Sequence, residues 1–407
     1  MACKAKLMIP EDDKYQGKAL ALSHPRTAIT TIKAKFSRQK LQRFEGSCFG
    51  HLLLIEDLNW TAQIVHVLLM RKAHPKSVKQ VNEIKFIVGN KLIQFTAQHF
   101  CLITGLRFGK LPFIPKASNE NCSLKRKYFS TNKPATVSDL YNAFIDCTDD
   151  EDAVKLEMVY FAVFVLLGTE KHVNIDMRYL KLAEDLEEFD KYPWGAVSYA
   201  MTNNSLFRAI CGTRAYTRMP SARPREYTIK GFGFALQIWA FEVFPALEAL
   251  HFVVHEDNGH IPRILHWRTN TVARFRDLMS QVYENVEVDV QLLRPTDIEK
   301  QQPYWSWGDA ENNEEIVELF GDEAEQNTNS SSEAVDKEVE DTTTLTSSSK
   351  HKVSLTELRS LKHQLQSSKD ELAKLRTSNR GLRNRVRKLE GIVDKNYLKQ
   401  EKDSEKN

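Results

Sequence analysis

The sequence lacks any close pair of cysteines. Its six, Cys3, Cys48, Cys101, Cys122, Cys147 and Cys211, are dispersed and form no CxxC. That removes the paired thiols of zinc ribbons and redox motifs. Lys4 and Lys6 near the N-terminus are followed by no apolar run of signal-peptide length, so the expectation is reduced thiols in an intracellular protein. Long apolar runs are missing as well. The most apolar stretch, Met158 to Leu167, has about ten residues, roughly half of what a bilayer needs. It is expected as a buried helix, and no membrane association is expected. No GxxxxGK[ST] loop and no GxGxxG turn is present. Gly231 and Gly233 form only a fragment of such a loop, and a turn or a close backbone approach accounts for them. No cysteine follows Cys211.

What is present divides the chain. With 407 residues, 42% hydrophobic and 27% charged, it has the means for a large core plus appendages. The formal net charge of +3 averages unlike parts: about +7 over residues 1–308, about −12 over 309–349 and about +8 over 350–407. Residues 1–34 are polar and weakly patterned. Helical spacing begins near Phe36. Ile64, Val67, Leu68 and Met70 share a helix face that ends before Pro75. Ile84, Phe86 and Val88 alternate, Gly89-Asn90 turns, and Leu92 to Phe95 return, which predicts a hairpin. Thr96 then caps a helix carrying Phe100, Leu102 and Ile103 and closed by Gly105. Residues 109–135 read as a long lysine-rich loop. Helices are expected over Val137 to Ile145, Val154 to Leu167 and Tyr179 to Phe189, the last stopping at Pro193. Residues 232–244, apolar on nearly all sides, predict a central buried helix ended or kinked by Pro245. After Trp307 the chain turns acidic and rich in Ser, Thr and Asn, a composition that opposes collapse.

The run Phe95 to Leu106, FTAQHFCLITGL, resembles the EFxLITGL signature of a plant-specific family, the domain of unknown function number nineteen-eighty-five. Phe189 to Gly195, FDKYPWG, resembles its FxxYPWG block. Tyr227 to Leu247, YTIKGFGFALQIWAFEVFPAL, resembles its YxLxGFPxALxIWAxExIP block, with Gly233 where the block has proline. Pro262 to Trp267 is similar to its closing PRIL-x-W element. The resemblance covers roughly residues 36–270. It implies a plant, transposon-derived setting in which such domains often precede a SUMO-protease domain. That protease needs a His, an Asp and a Cys nucleophile in that order. His266-Trp267 superficially matches its HW pair, but no cysteine lies downstream, so no SUMO-processing activity is expected. The resemblance does not supply a function for the domain itself.

Cys48 and His51 have zinc-ligand spacing, and His99 and Cys101 make a second pair. The H-x-C spacing is unusual and both pairs lie in apolar surroundings, so they are read as core residues. Asp149, Asp150, Glu151 and Asp152 precede a helix and suit its positive end. Glu170, His172 and Asp176 carry no recognisable spacing. Trp194 is expected to pack behind the helix stop set by Pro193. Catalytic residues, metal ligands and cofactors are expected to be none. The segment 208–230 carries Arg208, Arg214, Arg218, Arg223, Arg225 and Lys230 with Tyr216 and Tyr227 interleaved. Arginine forks hold phosphates and aromatic faces stack bases, which makes it a candidate polyanion site. A solvated basic loop is the favoured reading, nucleic acid the second, and an acidic protein partner the third. Lys125, Arg126, Lys127, Tyr128 and Phe129 form a weaker case of the same kind.

The tail carries the clearest pattern. Position a falls on Leu358, Leu365, Leu372, Asn379, Val386 and Val393, and position d on Leu361, Ser368, Leu375, Leu382 and Leu389. The repeat runs without a stutter, and its seam is narrow, as in a coiled coil rather than a docked amphipathic helix. Asn379 at an a position favours a parallel, in-register dimer. In that dimer Glu357 meets Lys362, Glu371 meets Arg376, and Arg385 meets Glu390, each exposed pair contributing about 0.2–1 kcal/mol. Ser368 and Gly381 weaken the helix.

The expected architecture is mainly α with a small β-hairpin. Residues 1–35 are a flexible N-terminus, 36–300 a globular domain, 301–350 an acidic disordered linker, 351–400 the coiled coil and 401–407 a tail. The expected function is a non-enzymatic interaction protein that forms a homodimer through residues 355–393, with an unknown protein partner for the domain. The alternative is a transposon-derived nucleic-acid-binding protein using residues 208–230. Residence in the nucleus is expected from the transposon association and the basic clusters.

Overall fold

A computed structural model describes residues 5–74, 84–129, 133–211, 226–257 and 259–307, together with the short strand Val317–Glu318. All lie in the first of two compact units, Met1–Gln326; the second spans Asn327–Asn407. The coiled-coil seam from Leu358 to Val393 and nearly all of the acidic segment lie outside the described residues.

Among the described residues helices dominate, with three small sheets. In chain order the elements are β1 (Lys18–Ala21), α1 (Pro25–Lys35), α2 (Arg38–Glu45), α3 (Ala62–Met70), β2 (Ile84–Val88), β3 (Lys91–Phe95) and α4 (Ala97–Thr104). They continue with α5 (Ser123–Tyr128), α6 (Val137–Asp146), α7 (Asp150–Tyr160), α8 (Arg178–Leu182), α9 (Leu186–Lys191), α10 (Trp194–Cys211) and β4 (Glu226–Ile229). The last are α11 (Phe234–Val243), β5 (Val253–His255), β6 (Trp267–Thr269), α12 (Asp297–Lys300) and β7 (Val317–Glu318), with further short helical segments between the named elements.

The elements written by local rules form where the residues predict them. Ile84 pairs with Phe95 and Val88 with Lys91 across the hairpin. The Thr96 hydroxyl accepts from the His99 N–H while the His99 ring accepts from the Thr96 N–H, and Gly105 ends α4 at φ 65°. The left-handed conformation there carries no Cβ penalty for glycine. Asp149 accepts from the N–H groups of Glu151 and Asp152, so the acid run starts α7 as expected. The apolar stretch after it continues the same helix as a π-helical segment, Phe161–Leu166, with every residue buried. In α11 nine of ten residues are buried. It packs with α3 and α4 under an aromatic cluster in which Trp239 meets Phe86 at 5.5 Å and Phe95 at 5.6 Å. A second cluster joins Phe49 to Phe161, Phe189 and Trp194 at 5.4–5.8 Å. Trp194 is 1% exposed and its indole N–H donates to the Phe189 carbonyl.

Several expectations need correction. Residues 1–35 are not simply a flexible N-terminus: β1 pairs in parallel with β4, Lys18 beside Glu226 and Ala21 beside Ile229, and α1 buries Ala28, Ile29 and Ile32. Few apolar positions suffice there because both elements cover a core made by distant residues. The lysine-rich loop 109–135 contains α5. The segment 179–189 is broken into α8 and α9 because Asp185 caps a new helix, accepting from the N–H groups of Glu187 and Glu188. The folded body runs past residue 300: Trp305 is buried and Trp307 packs on Phe108 at 5.2 Å. Val317–Glu318, inside the segment expected as disordered linker, adds a third strand to the hairpin sheet beside β3. Among the described residues no helix is long and apolar enough to cross a membrane.

Candidate functional site

A buried polar cluster stands at one end of α11. Glu242 stands one residue before the end of that helix, and its carboxylate is drawn upon from two sides. Oε1 accepts from the Trp267 indole N–H at 2.8 Å, and Oε2 accepts from an Arg263 NH1 at 2.9 Å. Arg263 turns its other edge on Glu299, with Nε and NH2 at 2.6 and 2.9 Å from the two carboxylate oxygens, and also donates to the Arg294 carbonyl at 2.7 Å. Arg263, Glu242 and Glu299 have side chains only 15%, 12% and 5% exposed. Burial by itself would raise the Glu299 carboxyl. The Arg263 guanidinium and the Thr296 backbone N–H outweigh it and hold the group below its ordinary value. Burial likewise opposes the Arg263 charge, and the two carboxylates more than restore it. One cation against two carboxylates leaves the node one unit negative.

Two histidines complete the cluster. The two-stranded ladder of β5 and β6 sets His255 opposite Trp267, and the Glu256 N–H donates to the His266 carbonyl at 2.7 Å. The imidazoles therefore meet edge to face, 5.4 Å apart, with His255 also 4.8 Å from the Trp267 ring. One ligand atom each of Glu242, His255 and His266 lies within 4.8 Å of the others, close enough to share one ion. His255 is exposed; Glu242 and His266 are half-buried. The cluster opens on a cleft of about 300 Å³ whose walls include Asp257, His260, Thr296 and Ile298. Sequence reasoning missed this site. Glu242, Arg263 and Trp267 all fall inside the blocks that carried the family resemblance, but those blocks gave no spacing rule that would join them. His266 was weighed only as half of a protease-like pair.

The residues singled out beforehand divide differently. Arg208, near the end of α10, and Lys230, just past β4, are both exposed, while Arg214, Arg218, Arg223 and Arg225 lie outside the described residues. Tyr227 is turned to structure, its hydroxyl 3.0 Å from His66 Nδ1 and its ring tilted against that imidazole. In the weaker basic segment, Lys127 pairs with Asp152 at 2.7 Å, Arg126 donates to the Asn119 carbonyl and Lys125 to the Ala117 carbonyl. Those cations serve α5 and its neighbours.

The cysteine–histidine pairs have structural occupations. His51 Nε2 donates to the Thr104 carbonyl, and burial lowers its pKa to about 4, with that bond pulling weakly the other way. His99 caps α4. Burial and the Asp190 carboxylate push the Cys48 thiol up, and burial does the same to Cys101 and Cys122. Glu170 pairs with His172, and Asp176 with Arg178. Gly231 supplies the close approach expected of it: at φ 79°, a Cβ there would stand 2.3 Å from Thr202 Oγ1.

The architecture is thus a mainly helical domain with small sheets, bearing a buried ion-pair node and a histidine-lined cleft. Residues 69–205 match the model of a family described as Domain of unknown function (DUF1985). The match holds the FTAQHFCLITGL and FDKYPWG blocks and stops short of Tyr227–Leu247 and Pro262–Trp267. No curated protein and no solved structure matches the chain.

Proposed function

We propose that this chain is a non-enzymatic interaction protein that self-associates through a parallel coiled coil over residues 355–393, leaving the helical domain to bind a protein partner. The observation that carries the reading is the unbroken a/d stripe from Leu358 to Val393, with three opposite-charge g–e pairs around the single polar a residue, Asn379. Burial raises the thiols of Cys48, Cys101 and Cys122, which makes these three poor nucleophiles. Two domains joined through such a coil would engage a repeated or dimeric partner with raised effective concentration. The plant and transposon-derived setting implied by the sequence blocks, and residence in the nucleus, belong to the same proposal.

Sedimentation of the full chain tests it. The wild type is expected to sediment as a dimer at micromolar concentration. Leu372→Asp, which places a charge in the seam, is expected to sediment as a monomer with the domain still folded. A monomeric wild type at high micromolar concentration overturns the self-association. A salt-dependent gel shift with nucleic acid, lost on replacing Arg208, Arg214, Arg218 and Lys230 together, would favour the basic-segment function instead.

A further inference from the structure

The structure assigns a second property to the domain: we propose that Glu242, His255 and His266 form a binding site for one divalent transition-metal ion, zinc by ligand type. Their ligand atoms converge within 4.8 Å of one another from three separate stretches of chain. Two imidazoles and a carboxylate are a donor set that zinc accepts, and three protein ligands leave one tetrahedral position open. All three residues line the cleft that Thr296 and Ile298 border.

Four features favour an ion over a purely structural cluster. His266 Nε2 meets the His260 carbonyl, which can only accept, so Nε2 carries the proton and Nδ1 keeps its lone pair. An imidazole oriented through its far N–H by a backbone carbonyl is the usual arrangement of a metal-bound histidine. Among the described residues the His255 ring makes no hydrogen bond, so its donor nitrogen is uncommitted. Glu242 is fixed by Trp267 and Arg263, yet a carboxylate has about four lone-pair directions and these bonds use two. Finally, Arg263 neutralises only one of the two carboxylates it bridges, so a cation entering beside Glu242 meets net negative charge. The buried Arg263–Glu299 pair holds Glu242 from behind, as outer-shell groups do in metal sites.

The test uses the purified full chain, stripped with chelator and titrated with zinc chloride by calorimetry, and with cobalt chloride followed by visible absorption. One equivalent of zinc is expected, with a cobalt spectrum of low coordination number. Exposed His255 is replaceable without disturbing the core, so His255→Ala is expected to melt like the wild type without metal and to weaken zinc binding by roughly tenfold or more. His266→Ala should weaken zinc binding by a similar factor. His172→Ala, a control at an exposed histidine outside the cluster, should leave affinity unchanged. Zinc should raise the melting temperature of the wild type and not of His255→Ala. Binding weaker than millimolar, or His255→Ala and His266→Ala binding as tightly as the wild type, overturns the site. Neither outcome touches self-association, which is read by sedimentation.

Discussion

Glu157 on α7 offers the sharpest physical test of the fold. It is 0% exposed, and among the described residues neither carboxylate oxygen has a hydrogen-bond partner. Burial pushes its pKa well above the ordinary glutamate value. The folded protein therefore holds Glu157 as a neutral acid while the unfolded chain ionises it near pH 4.5. A carboxyl raised on folding binds more protons in the native state, so its contribution falls as pH rises. Below the unfolded pKa it costs nothing by ionisation. Above it, each pH unit removes about 1.4 kcal/mol of stability until the folded pKa is reached. Glu157→Gln keeps the shape of the neutral acid and cannot ionise. Urea unfolding of both proteins at pH 4, 5, 6 and 7 isolates the effect, since every other titrating group is shared. The two should be close in stability at pH 4. The variant should gain steadily over the wild type above pH 5, with a slope near 1.4 kcal/mol per unit. A difference that does not change between pH 5 and pH 7 would refute the reasoning, because Glu157 would then be ionised in the native state or shielded by an unrecognised partner.

Two further outcomes follow from particular contacts, and a third from the heptad pattern. Gly231→Ala should cost more than about 2 kcal/mol in chemical unfolding, because a left-handed backbone and contact with Thr202 both oppose the new methyl; a loss under half that would place the two segments further apart. Arg263→Met should cost about 3–5 kcal/mol by the same assay, since it strands Glu242 and Glu299 as buried carboxylates, and a stabilised variant would show the pair to be replaceable. For the proposed coil, Asn379→Leu should raise the melting temperature of the associated species while broadening its sedimentation toward trimers or mixed orientations; an unchanged, purely dimeric species would remove Asn379 from the control of register.

The sequence by itself determined what neighbouring residues decide. The hairpin from Ile84 to Phe95, its Gly89-Asn90 turn, the Thr96 cap and the Gly105 stop are all written within a few residues of where they act. So are the buried character of α11 and the packing of Trp194 behind Pro193. The family blocks were legible for the same reason, being contiguous strings. Tertiary structure alone decided the rest. The parallel pairing of Lys18–Ala21 with Glu226–Ile229 joins strands of four residues, too short for alternation to declare them and too far apart in the chain for any local rule to pair them. Glu242, Arg263 and Glu299 form one ion-pair node only because α11, the turn before β6 and α12 are brought to one corner. His255 and His266 face each other because a ladder of three residue pairs fixes their register. Capping and periodicity act over a turn or two of helix or a few residues of strand. A site gathered from three stretches depends on how whole elements pack, and that information is spread over the entire core.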